Sequence, residues 1–249
     1  MRREELRDLL AAAGLDILIE EGLSRGTERL TFKRVFDRVA TEHGVRVTNA
    51  SVIGRIWDSM DDYQTDVLAA ALNDDDQQEV EKTLAAATTV LENADLSSRA
   101  GRKTAAIEVC RLAGGANAAT LAASRSGSLY IGVRGLAVSR LPLAGDAPIS
   151  KAVLAAYESI VHRYEDLIGS AFAVLGLRVK PGFTLRQLSI AAISLAEGCT
   201  LWDRIDTSST RGILRPTGPD GETQEWMLYA VGLEALLWQF AEWNDPEPT

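Results

Sequence analysis

Cysteine and histidine are scarce in this chain of 249 residues, which contains only Cys110, Cys199, His43 and His162. The cysteines belong to no CxxC pair or Cys/His cluster, so the pattern excludes a disulfide scaffold and a zinc module. We expect two reduced thiols, no metal and no cofactor. The sequence also lacks a nucleophile elbow, a phosphate-binding glycine loop and an HExxH helix, which disfavours an enzyme.

Long apolar runs and strand patterns are missing as well. No segment approaches the roughly 18 uninterrupted apolar residues of a membrane span. The charged stretch MRREELRDLL lacks the apolar core of a signal peptide. We therefore expect a cytoplasmic protein with no membrane partner. Alternating β-branched runs do not occur, whereas helical periodicity extends through most of the chain, so the sequence predicts an all-α fold.

Breaks in the helical pattern divide the chain into two predicted domains. Residues 1–72 contain four short amphipathic helices, and after the stretch NDDDQQE a larger Ala- and Leu-rich domain occupies residues 73–249. In this domain we predict helices at 76–93, 99–124, 127–139, 149–176, 184–206 and 223–243. The stretches LRVKPGFT and DTSSTRGILRPTGPDGET are predicted loops.

Positive charge is concentrated near the start of a chain whose net charge is −9. Between Leu23 and Trp57 the cations are Arg25, Arg29, Lys33, Arg34, Arg38, Arg46 and Arg55, and the acids are Glu28, Asp37 and Glu42, which gives 7 − 3 = +4. The rest of the chain then carries −9 − 4 = −13. A basic island in an acidic chain predicts a local phosphate-binding site, the alternative being a solvated surface with charges clustered by chance.

The stretch HGVRVTNASVIGRIW has the pattern of a turn followed by an amphipathic helix. We predict this helix from Thr48 or Asn49 to about Trp57, with Ile53 on its apolar face. The helix before it has a matching apolar face, and Gly44 suits the left-handed conformation that ends a helix. The pair predicts a helix-turn-helix, the alternative being an ordinary helical hairpin within a bundle.

In a helix-turn-helix, the second helix lies in the major groove of DNA and presents polar side chains to base edges. Hydroxyl, amide, guanidinium and ammonium groups donate to bases or phosphates, and small residues permit close approach. The residues predicted to contact DNA are Thr31, Lys33, Arg34, Arg46, Thr48, Asn49, Ser51, Val52 and Arg55.

The segments LDILIEEG, LTFKRVFDRVATEHGV and ASVIGRIWDSMDDYQTDVL resemble, in order and spacing, the N-terminal region of the TetR family of transcriptional regulators. The resemblance covers roughly residues 5–70. The family's pattern has Leu-Thr, Gly-Val and an aromatic residue at fixed positions, and the matching residues here are Leu30–Thr31, Gly44–Val45 and Trp57. The chain departs from the family where Gly54–Arg55 replaces the usual tyrosines, where the turn is longer, and where DSMDDY lacks a lysine.

The resemblance implies a regulator, expected to be a repressor, that binds a palindromic operator in double-stranded DNA as a homodimer. A small-molecule effector is expected to release it. Dimer contacts are placed on the last two long helices, whose apolar stripes are Leu185, Leu188, Ala192, Leu195, Ala196 and Cys199 on one and Leu228, Val231, Leu233, Leu236, Leu237 and Phe240 on the other. The alternative for both stripes is core packing within a monomer.

The effector site is expected among the middle helices, where polar or aromatic side chains give an apolar cavity its specific contacts. The candidate ligand-binding residues are Tyr130, Arg134, Tyr157, His162 and Trp202. The alternative for each is a side chain that packs in the core or lies on the surface and contacts no ligand. The expected ligand is a hydrophobic or amphipathic small molecule. The competing interpretation of the chain is a helical adaptor that binds proteins and no longer binds DNA.

Overall fold

Helices account for most of the chain in the computed structural model, which describes residues 1–21, 30–71, 76–124, 131–132, 148–217 and 221–244. The helices with described bounds are α1 (Arg3–Glu21), α2 (Phe32–His43), α3 (Asn49–Val52), α4 (Met60–Ala71), α5 (Asp76–Asn93), α6 (Arg99–Ala123), α7 (Pro148–Leu175), α8 (Leu185–Ile205) and α9 (Leu228–Phe240). A short 3-10 helix, Thr207–Ser209, follows α8. The prediction of a mostly helical fold is confirmed.

The described residues also form short strands, which the sequence did not predict. These are β1 (Leu177–Val179), β2 (Ile213–Pro216), β3 (Thr223–Trp226) and β4 (Ala241–Trp243). β1 pairs antiparallel with β4, and β2 pairs antiparallel with β3. The helix predicted over 223–243 is therefore wrong at both ends, and the loop predicted before it contains β2. Strands of three or four residues are too short for an alternating pattern to stand out against helical periodicity.

The chain divides into two compact units. The first consists of Met1–Asp75 with Ser124–Tyr157, and the second of Asp76–Ala123 with Glu158–Thr249. The sequence predicts a single division at residue 72, whereas the structure adds a segment from the middle of the chain to the first unit. As a result, α7 contributes its first part to one unit and its second part to the other.

Aromatic rings organise the core of the first unit. The Tyr63 ring is fully buried, with its centroid 4.8 Å from that of Trp57 and 5.2 Å from that of Phe32. The Tyr63 hydroxyl donates a hydrogen bond of 2.8 Å to the carbonyl oxygen of Leu10. Burial raises the pKa of Tyr63, so the phenol stays protonated. This satisfied hydroxyl joins α4 to α1 inside an otherwise apolar core.

The third helix is shorter than predicted, because it ends at Val52 and does not continue to Trp57. Gly54 follows with φ of 73°, a left-handed conformation that glycine adopts readily. Its amide donates a 2.8 Å hydrogen bond to the Trp57 carbonyl, which closes a tight turn. The turn buries Val52 and Trp57 but leaves Ile53 44% exposed, so the predicted position of Ile53 in the core is wrong.

In the second unit, α6 is the helix on which α5, α8 and α9 pack. Its buried face consists mainly of small residues: Ala105, Ala106, Cys110, Ala113, Gly114, Asn117 and Ala118. A Cβ atom added at Gly114 would lie 3.4 Å from the Cα atom of Ala230 in α9. The absence of a side chain at this position therefore lets the backbones of α6 and α9 approach closely.

The C-terminal end of α9 is fixed by the β1–β4 pair and by one lysine. The Nζ atom of Lys180 donates hydrogen bonds to the carbonyl oxygens of Trp238 at 2.7 Å and Gln239 at 3.1 Å. These carbonyls belong to the last turn of the helix, where carbonyl oxygens have no amide donor within the helix. The lysine thereby satisfies them and orients the chain that continues into β4.

We expect Gly14→Ala to destabilise the first unit, because an added Cβ would overlap the Tyr63 hydroxyl and lie 2.9 Å from Cγ2 of Val67. Overpacking of this kind costs about 1–3 kcal/mol in free energy of unfolding. Gly115 of α6 is the matched control, since no described atom lies within 4 Å of its added Cβ. Gly115→Ala should be neutral or stabilise by about 0.5–1 kcal/mol. Urea unfolding followed by circular dichroism measures both, and equal effects would contradict the packing described.

Candidate functional site

The turn between α2 and α3 is the first candidate region. Gly44 ends α2 with φ of 67°, and its amide donates a 3.2 Å hydrogen bond to the Ala40 carbonyl. Val45 and Val47 then pack against the core of the first unit, while Arg46 between them is exposed. The expectation that Gly44 adopts the left-handed conformation is confirmed. Because buried and exposed side chains alternate along the turn, the Arg46 side chain faces solvent.

Hydroxyl groups predicted to contact DNA also make local capping contacts. The Thr31 Oγ1 atom accepts a long hydrogen bond of 3.5 Å from the amide of Arg34 at the start of α2. At the start of α3, the Ser51 hydroxyl donates to the Thr48 carbonyl at 2.6 Å and accepts from the Thr48 amide at 3.2 Å. Asn49 is exposed in the first turn of α3. The Ser51 hydroxyl therefore ties α3, a helix of only four residues, to the backbone of Thr48.

Two cations of the basic island form ion pairs with acids of α1. The Arg34 guanidinium pairs with Glu21, and that of Arg38 pairs with Glu20 at 2.8 Å and with Glu42 at 3.0 Å. The hydrogen bonds that the Arg38 guanidinium donates to Glu20 raise the pKa of Arg38. The sequence count of +4 omitted Glu20 and Glu21, because they precede the counted window. The fold therefore neutralises part of the charge that the sequence count assigned to this surface.

Lys33, Arg46 and Arg55 remain as exposed cations around α2, the turn and the end of α3. The described residues provide no ion pair for any of the three. Val52, in contrast, has no exposed surface and belongs to the core, so its predicted place on the DNA-facing side is wrong. Its burial follows from the early end of α3, which turns this residue inward. The surface thus combines three available cations with the exposed polar residues Thr48 and Asn49.

The structure describes three of the five residues predicted to bind an effector, namely Tyr157, His162 and Trp202. Tyr157 is half-buried against the core of the first unit, and His162 is exposed with its Nδ1 atom 3.1 Å from a Glu165 carboxylate oxygen. Trp202 on α8 is 57% exposed. Tyr130 and Arg134 lie outside the described residues. None of the three described candidates lines the internal cavity of the second unit.

That cavity is the second candidate region, with a volume of about 90 Å³. Helices α5 to α9 all contribute to its wall, which is apolar except at one end. Representative lining residues are Ala106, Cys110, Phe172, Leu188, Ala192 and Leu237. Burial, together with the charge of Glu234, raises the pKa of Cys110 to about 12. The Cys110 thiol therefore stays protonated, acts as an apolar wall and is no nucleophile.

Three buried polar side chains form the other end of the cavity. The Asn117 Nδ2 atom donates hydrogen bonds to the Tyr164 hydroxyl at 3.0 Å and to the Thr83 hydroxyl at 3.4 Å. All three are buried and line the cavity. Sequence reasoning missed them, although Asn117 is conspicuous as an amide within the small-residue stretch LAGGANAA of α6. The cavity thus has an apolar wall and one hydrogen-bonding end, but its volume of about 90 Å³ lies below the roughly 300–1,000 Å³ of drug-sized ligand sites, so only a ligand of few heavy atoms fits it.

The apolar stripe predicted on α8 for dimer contacts lies in the core of the second unit. Leu188, Ala192, Ala196 and Cys199 are at most 9% exposed, and Leu188 and Ala192 line the cavity. This part of the dimer prediction is wrong, because α6 and α9 already cover that face. Other large apolar residues are exposed instead: Ile190 (45%), Leu201 (47%), Trp202 (57%) and Ile205 (65%) on α8 and Leu214 (69%) on β2.

Metal and membrane sites were sought over the same described ranges. There, no group of three or more histidine, cysteine, aspartate or glutamate side chains is arranged to hold a metal ion. In those ranges each helix is also too short or too polar to cross a lipid bilayer.

Comparison with known proteins gives no family assignment. No protein-family model matches the sequence, and no curated protein matches it significantly. Function is therefore argued from the two candidate regions themselves.

The hydrogen bond between Asn117 and Tyr164 is expected to stabilise the polar end of the cavity. Tyr164→Phe removes an acceptor from a buried amide donor, which should lower the free energy of unfolding by about 1–2 kcal/mol. In an Asn117→Ala background the donor is absent, so the same substitution should cost less. Chemical unfolding of the four proteins in this double-mutant cycle measures the coupling. A coupling of zero would show that the contact contributes nothing to stability.

Proposed function

We propose that the protein is a DNA-binding transcriptional regulator of the TetR type. The observation that carries the proposal is the α2–turn–α3 surface. There, Gly44 and two inserted valines set a tight connection between helices, and exposed cations and polar side chains surround it. This arrangement suits a helix-turn-helix that holds phosphates with its cations and approaches bases with α3.

Each exposed group of this surface has a proposed role. Lys33, Arg46 and Arg55 contact phosphates, because long cationic side chains for which the described residues provide no ion pair can replace counterions. Thr48 and Asn49 approach base edges, where an amide recognises adenine and a hydroxyl either donates or accepts. Arg55 occupies the exposed turn after α3, so it acts from the loop and not from the recognition helix. Thr31, Ser51 and Arg34 position the helices through their capping contacts and ion pair.

The effector site in this proposal is the internal cavity of the second unit. Its wall selects a small apolar molecule, and Asn117, Tyr164 and Thr83 offer one hydrogen-bonding end. Regulation follows as a population shift, in which the effector favours a conformation with lower affinity for the operator. The output we propose is repression that the effector relieves.

A helical adaptor that binds proteins is the second candidate function. It is favoured by the pairing of Arg34 and Arg38 with α1 and by the acidic start of α4 at Asp61 and Asp62. Both features reduce the positive field that attracts DNA. DNA binding separates the two candidates, because an adaptor has no requirement for Arg55.

We expect selection from random-sequence DNA to enrich a palindromic site. Arg55→Ala should weaken binding to that site about tenfold and reduce the slope of log affinity against log salt by about one, since one phosphate contact is lost. Binding is measured by fluorescence anisotropy across a salt series.

The matched control for this experiment is Lys82→Ala, which removes an exposed cation from α5 in the second unit. It should leave the affinity and the salt slope unchanged. Absence of any enriched sequence at low salt, or equal losses for the two variants, contradicts DNA recognition by this surface and favours the adaptor.

The proposed homodimer forms through the exposed apolar face of α8 and not through its buried stripe. Ile190, Leu201, Trp202 and Ile205 recur at helical spacing along that face, and clustered exposed apolar residues mark interaction sites. A second copy of the chain presents the same face, so an isologous contact is possible with two-fold symmetry. Two-fold symmetry also matches a palindromic operator.

The double variant Trp202→Glu/Ile205→Glu is expected to shift the protein from dimer to monomer, because like charges and desolvation oppose burial of that face. Sedimentation equilibrium at micromolar concentration measures the mass. Leu112→Glu, at a residue of α6 that is 42% exposed, is the control and should leave the dimer intact. A wild-type chain that sediments as a monomer contradicts the proposed dimer.

A further inference from the structure

A basic and aromatic cleft lies on the second unit and shares no lining residue with the internal cavity. It is open to solvent, has a volume of about 790 Å³ and is lined mainly by Arg99, Lys103, Ile107, Glu234, Trp238 and Trp243. These residues come from α6, α9 and β4. We propose that this cleft binds a planar aromatic ligand that carries an anionic group.

Two indole rings supply the aromatic wall. The ring centroids of Trp238 and Trp243 are 6.0 Å apart, with an angle of 44° between the planes. Both side chains are only half-buried, so part of their surface faces solvent. Indole rings stack with other planar rings, and their exposed area favours an aromatic partner over an aliphatic one. Lys180 fixes the backbone at Trp238 by a hydrogen bond to its carbonyl oxygen. The pairing of β1 with β4 fixes the backbone at Trp243.

The start of α6 supplies the cations of the cleft, Arg99 and Lys103, and Arg102 lies beside them in the sequence. The stretch RAGRK places Arg99, Arg102 and Lys103 within five residues of α6, with no acid among them. The guanidinium carbons of Arg99 and Arg102 lie 5.4 and 5.7 Å from the centroid of Trp243, within cation–π distance. These arginines therefore have a structural role as well, because they hold the indole of β4 against α6.

Lys103 has no such structural explanation. Its side chain is exposed at the cleft, and the described residues provide no ion pair for it. The one acid of the cleft, Glu234, pairs with Arg215 at 2.7 Å, and its side chain is only 15% exposed. Lys103 is therefore a cation of the cleft for which the described residues provide no ion pair, although the chain as a whole is acidic.

These features together define the ligand chemistry. The indole of Trp238 stacks on the ring of the ligand, while Lys103 and Arg99 receive its anionic group. The volume lies within the range of about 300–1,000 Å³ that is usual for ligand sites. Two sources carry this chemistry, namely a nucleoside phosphate and an aromatic carboxylate. The site is independent of DNA binding and of the effector cavity.

Calorimetric titration of the full chain at low salt tests the proposal. The probes are adenosine monophosphate and benzoate, their neutral counterparts adenosine and benzyl alcohol, and the ring-free anions phosphate and acetate. Saturable binding is expected for at least one aromatic anion, and at least about tenfold weaker binding for its neutral and ring-free counterparts. Whichever of the two aromatic anions binds identifies the source of the ligand.

Charge reversal at the cleft supplies the site-specific measurement. Lys103→Glu should weaken binding of the aromatic anion by at least about tenfold, because it replaces attraction by repulsion. Lys82→Glu, at an exposed lysine of α5 outside the cleft, is the matched control and should leave binding unchanged. Thermal unfolding by circular dichroism verifies that both variants are folded. Lack of binding at about 10 mM probe, equal affinity for ring-free anions, or equal losses in the two variants overturns the proposal.

Discussion

The small side chains on one face of α6 are the constraint on which the second unit depends. Three helices pack on that face, and at Gly114 the backbone of α6 comes close to that of α9. Gly232 of α9 likewise faces Leu195 of α8, where an added Cβ would lie 2.6 Å from a leucine methyl group. Close packing at these positions fixes the helices, while alanines alongside leave the space that becomes the cavity. Asn117 is tolerated among them because the Tyr164 and Thr83 hydroxyls accept hydrogen bonds from its amide nitrogen.

Charge in the first unit is set by the fold more than by composition. The charge count over residues 23–57 includes the charges of Arg34 and Arg38 in full. In the structure, these arginines form ion pairs with Glu21 and Glu20 of α1. Partly exposed pairs of this kind contribute little to stability, yet they remove charge from the surface field. The proposed DNA contact therefore rests on Lys33, Arg46 and Arg55, three cations for which the described residues provide no ion pair. Lys103 of the second unit is likewise an exposed cation with no ion pair among the described residues.

Helical periodicity predicted the long helices well, because their apolar stripes are long enough to define a face. The bounds of α5, α6, α7 and α8 agree closely with the predicted ranges. It failed at α3, where Gly54 turns the chain after one helical turn, and at the short strands flanking α9. The cavity could not be predicted from sequence, since Asn117 and Tyr164 are 47 residues apart and meet only through tertiary packing. Aromatic character alone pointed to Trp202, which is exposed.

The proposed regulation depends on α7, because this one helix contributes side chains to both units. Ala156 belongs to the core of the first unit, whereas Tyr164, Ile168 and Phe172 line the cavity of the second. A ligand that hydrogen-bonds to Tyr164 therefore acts on an element that continues covalently into the first core. In this proposal, α7 has two arrangements, and an effector changes their populations only if it binds one arrangement more tightly than the other. The proposal therefore requires that the polar end of the cavity differs between the two arrangements.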